Sequence, residues 1–270
     1  MHPTLIAIGP ISIKVFNLFL VFGFLVTAFI FWRRTKEEHY QEGELFDGFL
    51  LAVLVGFVAG RIGFVLGHFN EFGFDFPKWL NIFSFGGFSG LLGLIAATFY
   101  LALFAKRKHW DVFSILDHWV TSLSLGVGII YLGLFFDSAG SGLATSLPWG
   151  ITFPGQLEPH HPVQLYWAGF FFLLFAFLSW VEYRYRTFTW YRAGKKAAQT
   201  GFLTASFLIF LGLFSFLMIF VTAPQLTFKG VRLDYWLSGF TFISGLVLMA
   251  IRSNRFQLRK KKPPAIYAQK

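Results

Sequence analysis

Cysteine is absent from all 270 residues. That excludes disulfides, thiolate nucleophiles, cysteine metal ligands and lipidation of the chain on cysteine. Charge is scarce as well. Only 13% of residues are Asp, Glu, Lys or Arg, against about 25% in soluble domains. Acids are the scarcer sign, 13 against 23 bases. Apolar side chains fill the deficit: 56% of residues are hydrophobic, with 39 Phe and nine Trp, types that suit lipid-facing and interfacial positions. The chain reads as an integral membrane protein, and its size suits one compact domain of several helices.

Apolar runs recur along the chain. Val15–Trp32 is followed by Arg33-Arg34-Thr35-Lys36. A cleaved signal peptide carries its basic residues before the apolar core; here they follow it, which predicts a first spanning helix with its N-terminus outside. Further spans are predicted over Leu45–Phe69, Phe88–Ala105, Val112–Phe136, Val163–Tyr183, Phe202–Val221 and Trp236–Ile251. Two external loops are expected, 70–87 and 137–162, the first apolar enough to lie in the membrane interface. A flexible basic tail, 252–270, is expected in the cytoplasm. The expected fold is all-α, a single polytopic domain over 1–270 with seven transmembrane helices.

The net charge of +10 does not call for nucleic acid. Of the 23 Lys and Arg, 18 fall in the four stretches that this topology puts inside. That bias matches the positive-inside rule, and cytoplasmic flanks of this kind meet anionic headgroups. No internal repeat is visible, and the uneven loops lack the paired halves of many transporters.

Few polar residues interrupt the spans. Arg61 lies in Gly60-Arg61-Ile62-Gly63-Phe64-Val65-Leu66, 16 residues after Leu45, roughly 24 Å along a helix. A cation at that depth is costly and marks a functional group or a satisfied structural pair. It suits an anchor for a lipid phosphate; the alternative is pairing with Asp117, Asp137 or helix-end carbonyls. Asp117, near the inner end of the fourth span, either pairs with a buried cation or snorkels beside His118; Asp137 sits at that span's outer end. His160-His161-Pro162-Val163-Gln164-Leu165-Tyr166 leads the second loop into the fifth span, its proline suited to a helix start. Gln164 and Tyr166 fall at headgroup depth. His68, His160 and His161 are three possible metal ligands, but adjacent histidines alone are no ligand pattern, and neither metal nor cofactor is expected.

These pieces in order resemble the prolipoprotein diacylglyceryl transferases of bacteria. Gly60–Leu66 resembles the family's GRIGYVL segment. Gly86-Gly87-Phe88-Ser89 followed by Gly93-Leu94-Ile95 resembles GGMSFHGGLIG, and His161-Pro162-Val163-Gln164-Leu165-Tyr166 is similar to HPSQLYE. Asp117 falls where the family has an aspartate. The resemblance implies a bacterial inner-membrane enzyme. It would move a diacylglyceryl group from phosphatidylglycerol, or another anionic lipid, to the lipobox cysteine thiol of a preprolipoprotein. It implies Arg61, His161, Gln164 and Tyr166 as lipid- or phosphate-binding candidates, Asp117 and Asp137 as buried or structural polar groups, and the preprolipoprotein signal peptide as partner.

The departures lie among polar site residues. Leu91 stands for the family's third-span histidine. Tyr131, Leu134 and Ala139 replace an arginine, an asparagine and a glutamate. Phe16 replaces a tyrosine, Ser215 and Ile219 replace an arginine and a glutamate, and Trp167 follows Tyr166 where glutamate is usual. None of the apolar replacements moves a proton or holds an anion. Two expectations therefore stand side by side: a divergent transferase, and a catalytically impaired relative that binds a lipid or a membrane partner. A solute channel fits less well, since the spans offer few ionisable groups.

Overall fold

The computed structural model describes residues 4–8, 11–82, 85–185, 199–224, 227–228 and 231–253. The basic stretch Arg186–Lys196, Lys229 and the tail beyond Ser253 lie outside them. Among the described residues the chain forms helices α1 (Val15–Glu37), α2 (Glu42–Gly67), α3 (Phe69–Phe72), α4 (Phe76–Leu80), α5 (Gly90–Arg107), α6 (Val112–Phe136), α7 (Val163–Tyr185), α8 (Phe202–Met218) and α9 (Asp234–Arg252). Two small antiparallel ladders modify the all-helical expectation: β1 (Thr4–Ile8) with β2 (Ile11–Lys14), and β3 (Thr227–Phe228) with β4 (Val231–Arg232).

Six helices are long and apolar enough to cross a membrane, and α8 is a shorter apolar helix of 17 residues. At 1.5 Å per residue α8 reaches about 26 Å, close to the hydrocarbon thickness. The chain is a polytopic helical membrane protein, and the seven expected crossings fall on six long apolar helices and the shorter α8. One end of the bundle carries the residues around Glu38–Gln41 and Lys108–Asp111; we call it the basic face. The opposite end carries 68–89 and 137–162 and is the loop face.

Helix α6 is the axis. Half of its apolar window is buried, against 11–33% for the other five long helices. It packs against α1, α5, α7 and α8, while α2 pairs with α5 and α8 with α9. Two contacts depend on missing side chains. A Cβ on Gly23 of α1 would lie 2.8 Å from the carbonyl oxygen of Gly126 in α6. One on Gly56 of α2 would lie 2.8 Å from the carbonyl oxygen of Gly93 in α5. Backbones approach this closely in membranes because small residues let them.

Three helix ends share one device. After α1, α5 and α6 the chain turns through His39, His109 and Ser138, with φ of 65°, 57° and 57°. The next amide reaches back to close a Schellman pattern: Tyr40 to Thr35 O, Trp110 to Ala105 O, Ala139 to Leu134 O. Glycine usually takes the left-handed position; here two histidines and a serine do. The rings of Tyr40 and Trp110 then meet, 5.1 Å between centroids, joining two of these turns on the basic face.

That face also holds most of the buried charge. Arg34 of α1 turns into the bundle, pairs with Glu182 of α7 and donates to Ser179 Oγ at 2.8 Å. His118 Nδ1 lies 3.2 Å from the other Glu182 oxygen. Asp117 does not snorkel to the interface as a free carboxylate. It is fully buried, and its oxygens accept from the N–H groups of Gly201 and Thr204 at 2.8 Å each and from the Thr204 hydroxyl at 2.6 Å. A carboxylate on α6 thus caps the N-terminus of α8, where orphan N–H groups and the helix dipole favour negative charge.

Candidate functional site

The loop face has two parts. The first is an arm made of α3 and α4, held by Arg61. Arg61 is 7% exposed. Its Nε donates to the Trp79 carbonyl at 2.8 Å, Nη1 to those of Phe85 and Gly87 at 2.7 and 3.1 Å, and Nη2 to that of Lys78 at 3.2 Å. These take four of its five N–H groups. The faces of Phe64, Phe72 and Phe88 lie 5.3–6.0 Å away. No carboxylate among the described residues pairs with it. The carbonyl alternative is the one the geometry displays: α2 carries a cation that gathers the arm's main-chain oxygens. The arm in turn exposes Phe74, Phe76 and Leu80 at 62–83%, as an interfacial segment does.

The second part is the loop 137–162 with the first turns of α7. The loop is folded on itself. Ile151 and His160 exchange both main-chain hydrogen bonds, at 2.9–3.0 Å, and Thr145 N–H donates to Pro159 O at 2.8 Å. It is tied to the start of α7 by Gly142 N–H to His161 O at 2.9 Å, and to the end of α8 by Leu143 N–H to Val221 O at 2.8 Å. A Cβ on Gly142 would meet both the Val221 carbonyl and the His161 side chain within 2.8 Å, so the crossing is tight.

Here the structure brings three sequence candidates together. His161 Nδ1 lies 3.2 Å from the Tyr166 hydroxyl, which also accepts from Trp149 Nε1 at 2.9 Å. Gln164, 2% exposed, donates from Nε2 to the Ala139 carbonyl at 2.7 Å. That bond joins the first turn of α7 to the end of α6. Asp137 ends α6, half-buried, its carboxylate without a hydrogen bond or ion pair among the described residues. Arg61 is not in contact with this group, and His68 bonds locally to the Phe64 carbonyl at 3.0 Å. His160 Nδ1 turns to the Glu158 carbonyl at 2.8 Å.

Beneath the group lies a set of rings. Tyr131 of α6 stacks on Trp167 of α7, 5.6 Å between centroids and 14° between planes. Phe171 stacks with both at 5.8–5.9 Å. Phe214 of α8 meets Trp167 at 5.0 Å and Phe170 at 4.2 Å. Two substitutions that sequence comparison reads as losses, Tyr131 and Trp167, are therefore partners. With Phe171 they form one apolar stack between α6 and α7. Leu91 is 44% exposed on α5; Ser215 is half-buried on α8.

Sequence reading missed Trp149, Gln156 and the Arg34–Glu182 pair. Trp149 had a signal of a kind, a tryptophan in a Gly- and Ser-rich loop. Gln156, whose Nε2 donates to Ser141 Oγ at 2.7 Å, had none.

Comparison with known proteins adds what geometry alone does not. Residues 3–251 match the family described as prolipoprotein diacylglyceryl transferase. A protein of Bordetella avium is 30% identical over 266 residues, covering 94% of this chain and 95% of its own length. One of Vibrio vulnificus strain YJ016 is 34% identical over 269 residues, 93% and 91% of the two chains. One of Aeromonas hydrophila is 30% identical over 270 residues, 96% and 93%. All three are named phosphatidylglycerol–prolipoprotein diacylglyceryl transferase. These relatives are bacterial, and the apolar helices make this chain a multi-pass protein of the bacterial cell membrane. With a family match over residues 3–251 and relatives matched over nearly their full length, the chain belongs to the prolipoprotein diacylglyceryl transferase family.

Proposed function

We propose that this chain transfers a diacylglyceryl group from phosphatidylglycerol to the lipobox cysteine thiol of a preprolipoprotein, at its loop face and with that face outside the membrane. The observation that carries the reading is the hydrogen-bonded series Trp149–Tyr166–His161 at the mouth of α7. Thioether formation needs a base for the thiol. The imidazole tautomer that donates from Nδ1 to Tyr166 leaves Nε2 free to accept that proton. The thiolate sulfur then attacks the glyceryl carbon, the carbon–oxygen bond to phosphate breaks, and glycerol phosphate leaves with the bonding pair. The proton held on His161 goes back to solvent or to the departing phosphate.

Arg61 contributes at a distance. Its fork is engaged with carbonyls, yet no acid among the described residues neutralises it. Its charge therefore favours a phosphate in the headgroup layer beside the arm, in a medium that screens little.

One observation favours a second reading, a relative that holds a lipid or a partner without transfer. The Tyr131–Trp167–Phe171 stack puts apolar rings beneath the headgroup site, and rings hold no leaving phosphate. Purified protein, phosphatidylglycerol and a lipobox peptide separate the two. The transferase reading expects a peptide heavier by one diacylglyceryl group, formed about 10²-fold more slowly by His161→Asn. Folded protein that yields no thioether, and that fails to rescue a transferase-depleted bacterium, leaves the binding reading standing.

A further inference from the structure

Gln164 holds an oxygen that nothing in the described structure meets. Its Nε2 faces the Ala139 carbonyl at 2.7 Å. A carbonyl only accepts, so the amide orientation is set by its partner and Oε1 points the other way. That oxygen is buried and has no donor among the described residues. A buried acceptor left unpaired costs stability, and it persists where something arrives to meet it.

Its surroundings have the same character. The Gln156 amide oxygen is also buried without a donor among the described residues, while its nitrogen donates to Ser141 Oγ at 2.7 Å. The two amides thus grip positions 139 and 141 of one short segment, each with its oxygen unused. Asp137, two residues before Ala139, adds a half-buried carboxylate without a partner among the described residues. The Gln164 oxygen, fixed by its partner, and the Asp137 carboxylate repel a phosphate. They suit a group that donates.

We propose that the end of α6, the segment 139–141 and the first turn of α7 form a subsite for the donor-bearing end of a lipid headgroup, with Gln164 Oε1 as its central acceptor. The two sources of that chemistry are the terminal glycerol hydroxyls of phosphatidylglycerol and the ammonium of phosphatidylethanolamine. This deepens the reading of the loop face as a lipid-headgroup site and assigns Gln164 to the headgroup's hydroxyl or ammonium end rather than to its phosphate.

The test is lipid retention by the full-length protein, read by native mass spectrometry, with acyl-matched phosphatidylglycerol, phosphatidylethanolamine and phosphatidylmethanol. Phosphatidylmethanol keeps the phosphodiester charge and has no headgroup donor. One or two added hydrogen bonds predict that phosphatidylglycerol is retained about five- to tenfold better than phosphatidylmethanol. Gln164→Leu should remove that preference and leave phosphatidylmethanol retention unchanged. Gln156→Leu, in the loop, should weaken the preference and decides the matter if Gln164→Leu does not fold. Phosphatidylethanolamine retained above both other lipids assigns the ammonium. Equal retention of all three, as when only water meets the oxygen, overturns the proposal, and so does a preference that survives both variants. Retention is read without transfer. A preference without thioether product sinks the transferase reading alone, and product without preference sinks this one alone.

Discussion

Asp117 and Thr204, 87 residues apart in sequence, are joined twice: Oδ1 accepts from the Thr204 N–H at 2.8 Å and from its hydroxyl at 2.6 Å. With the Gly201 N–H on Oδ2, one carboxylate supplies the cap that α8 lacks, since the local N-cap, Gly201, has no side chain to offer. Asp117→Asn keeps the volume but loses the charge and one accepting oxygen. It should cost about 2–3 kcal/mol, and Thr204→Val about 1 kcal/mol. Unfolding midpoints in detergent read both, and an unchanged midpoint for Asp117→Asn would show that the cap is dispensable.

The Arg61 clasp predicts a difference between two cations. Lysine keeps the charge but has three donors on one atom and cannot span the carbonyls of Lys78, Trp79, Phe85 and Gly87. Arg61→Lys should leave the bundle folded while hydrogen exchange over 69–82 rises by about tenfold or more, as expected for the loss of ~1.5 kcal/mol or more of local stability. Exchange that stays at the wild-type rate would mean that other contacts hold the arm.

Close approach of α2 and α5 can be tested with one carbon atom. A methyl at Gly56 would sit 2.8 Å from the Gly93 carbonyl oxygen and 3.0 Å from Ala97 Cβ. Gly56→Ala should therefore destabilise by about 1–3 kcal/mol. Gly169→Ala is the control, because a methyl there meets nothing within 4 Å. It should be neutral or stabilising by up to about 1 kcal/mol. Equal midpoints for the two variants would refute the packing argument.

Ser138 occupies a left-handed position after α6 that glycine fills at less cost. Ser138→Gly should raise the unfolding midpoint, by a gain of about 0.5–1 kcal/mol. A lower midpoint would mean that the serine side chain outweighs its backbone strain.

The spans are legible in the sequence because an apolar run of membrane length has almost nowhere to go but into a bilayer. Val112–Phe136 is read to the residue, bounded by Asp111, whose side chain caps α6 by accepting from Phe113 and Ser114 N–H. The first apolar run stops at Trp32, yet α1 continues to Glu37 through its basic residues, and Arg34 turns inward instead of toward headgroups. Its acid, Glu182, lies 148 residues on, and nothing local announces it. Arg61 is legible as a costly cation but its partners are not, because main-chain carbonyls carry no sequence identity. The short ladders β1–β2 and β3–β4 have too few residues for a period to show. At the loop face the grouping of His161, Gln164 and Tyr166 follows from their spacing on one helix start. The Tyr131–Trp167 stack does not, since it needs the register of α6 against α7.

The shared cap has a bearing on biogenesis. Asp117 leaves the ribosome 84 residues ahead of Gly201, so the carboxylate already sits in the bilayer when the penultimate crossing emerges. That crossing is short and carries no side-chain cap of its own; it acquires one only by docking on an earlier arrival. Insertion and folding are thereby ordered in time, and a nascent chain that mispositions α6 forfeits a ready partner for everything synthesised after it.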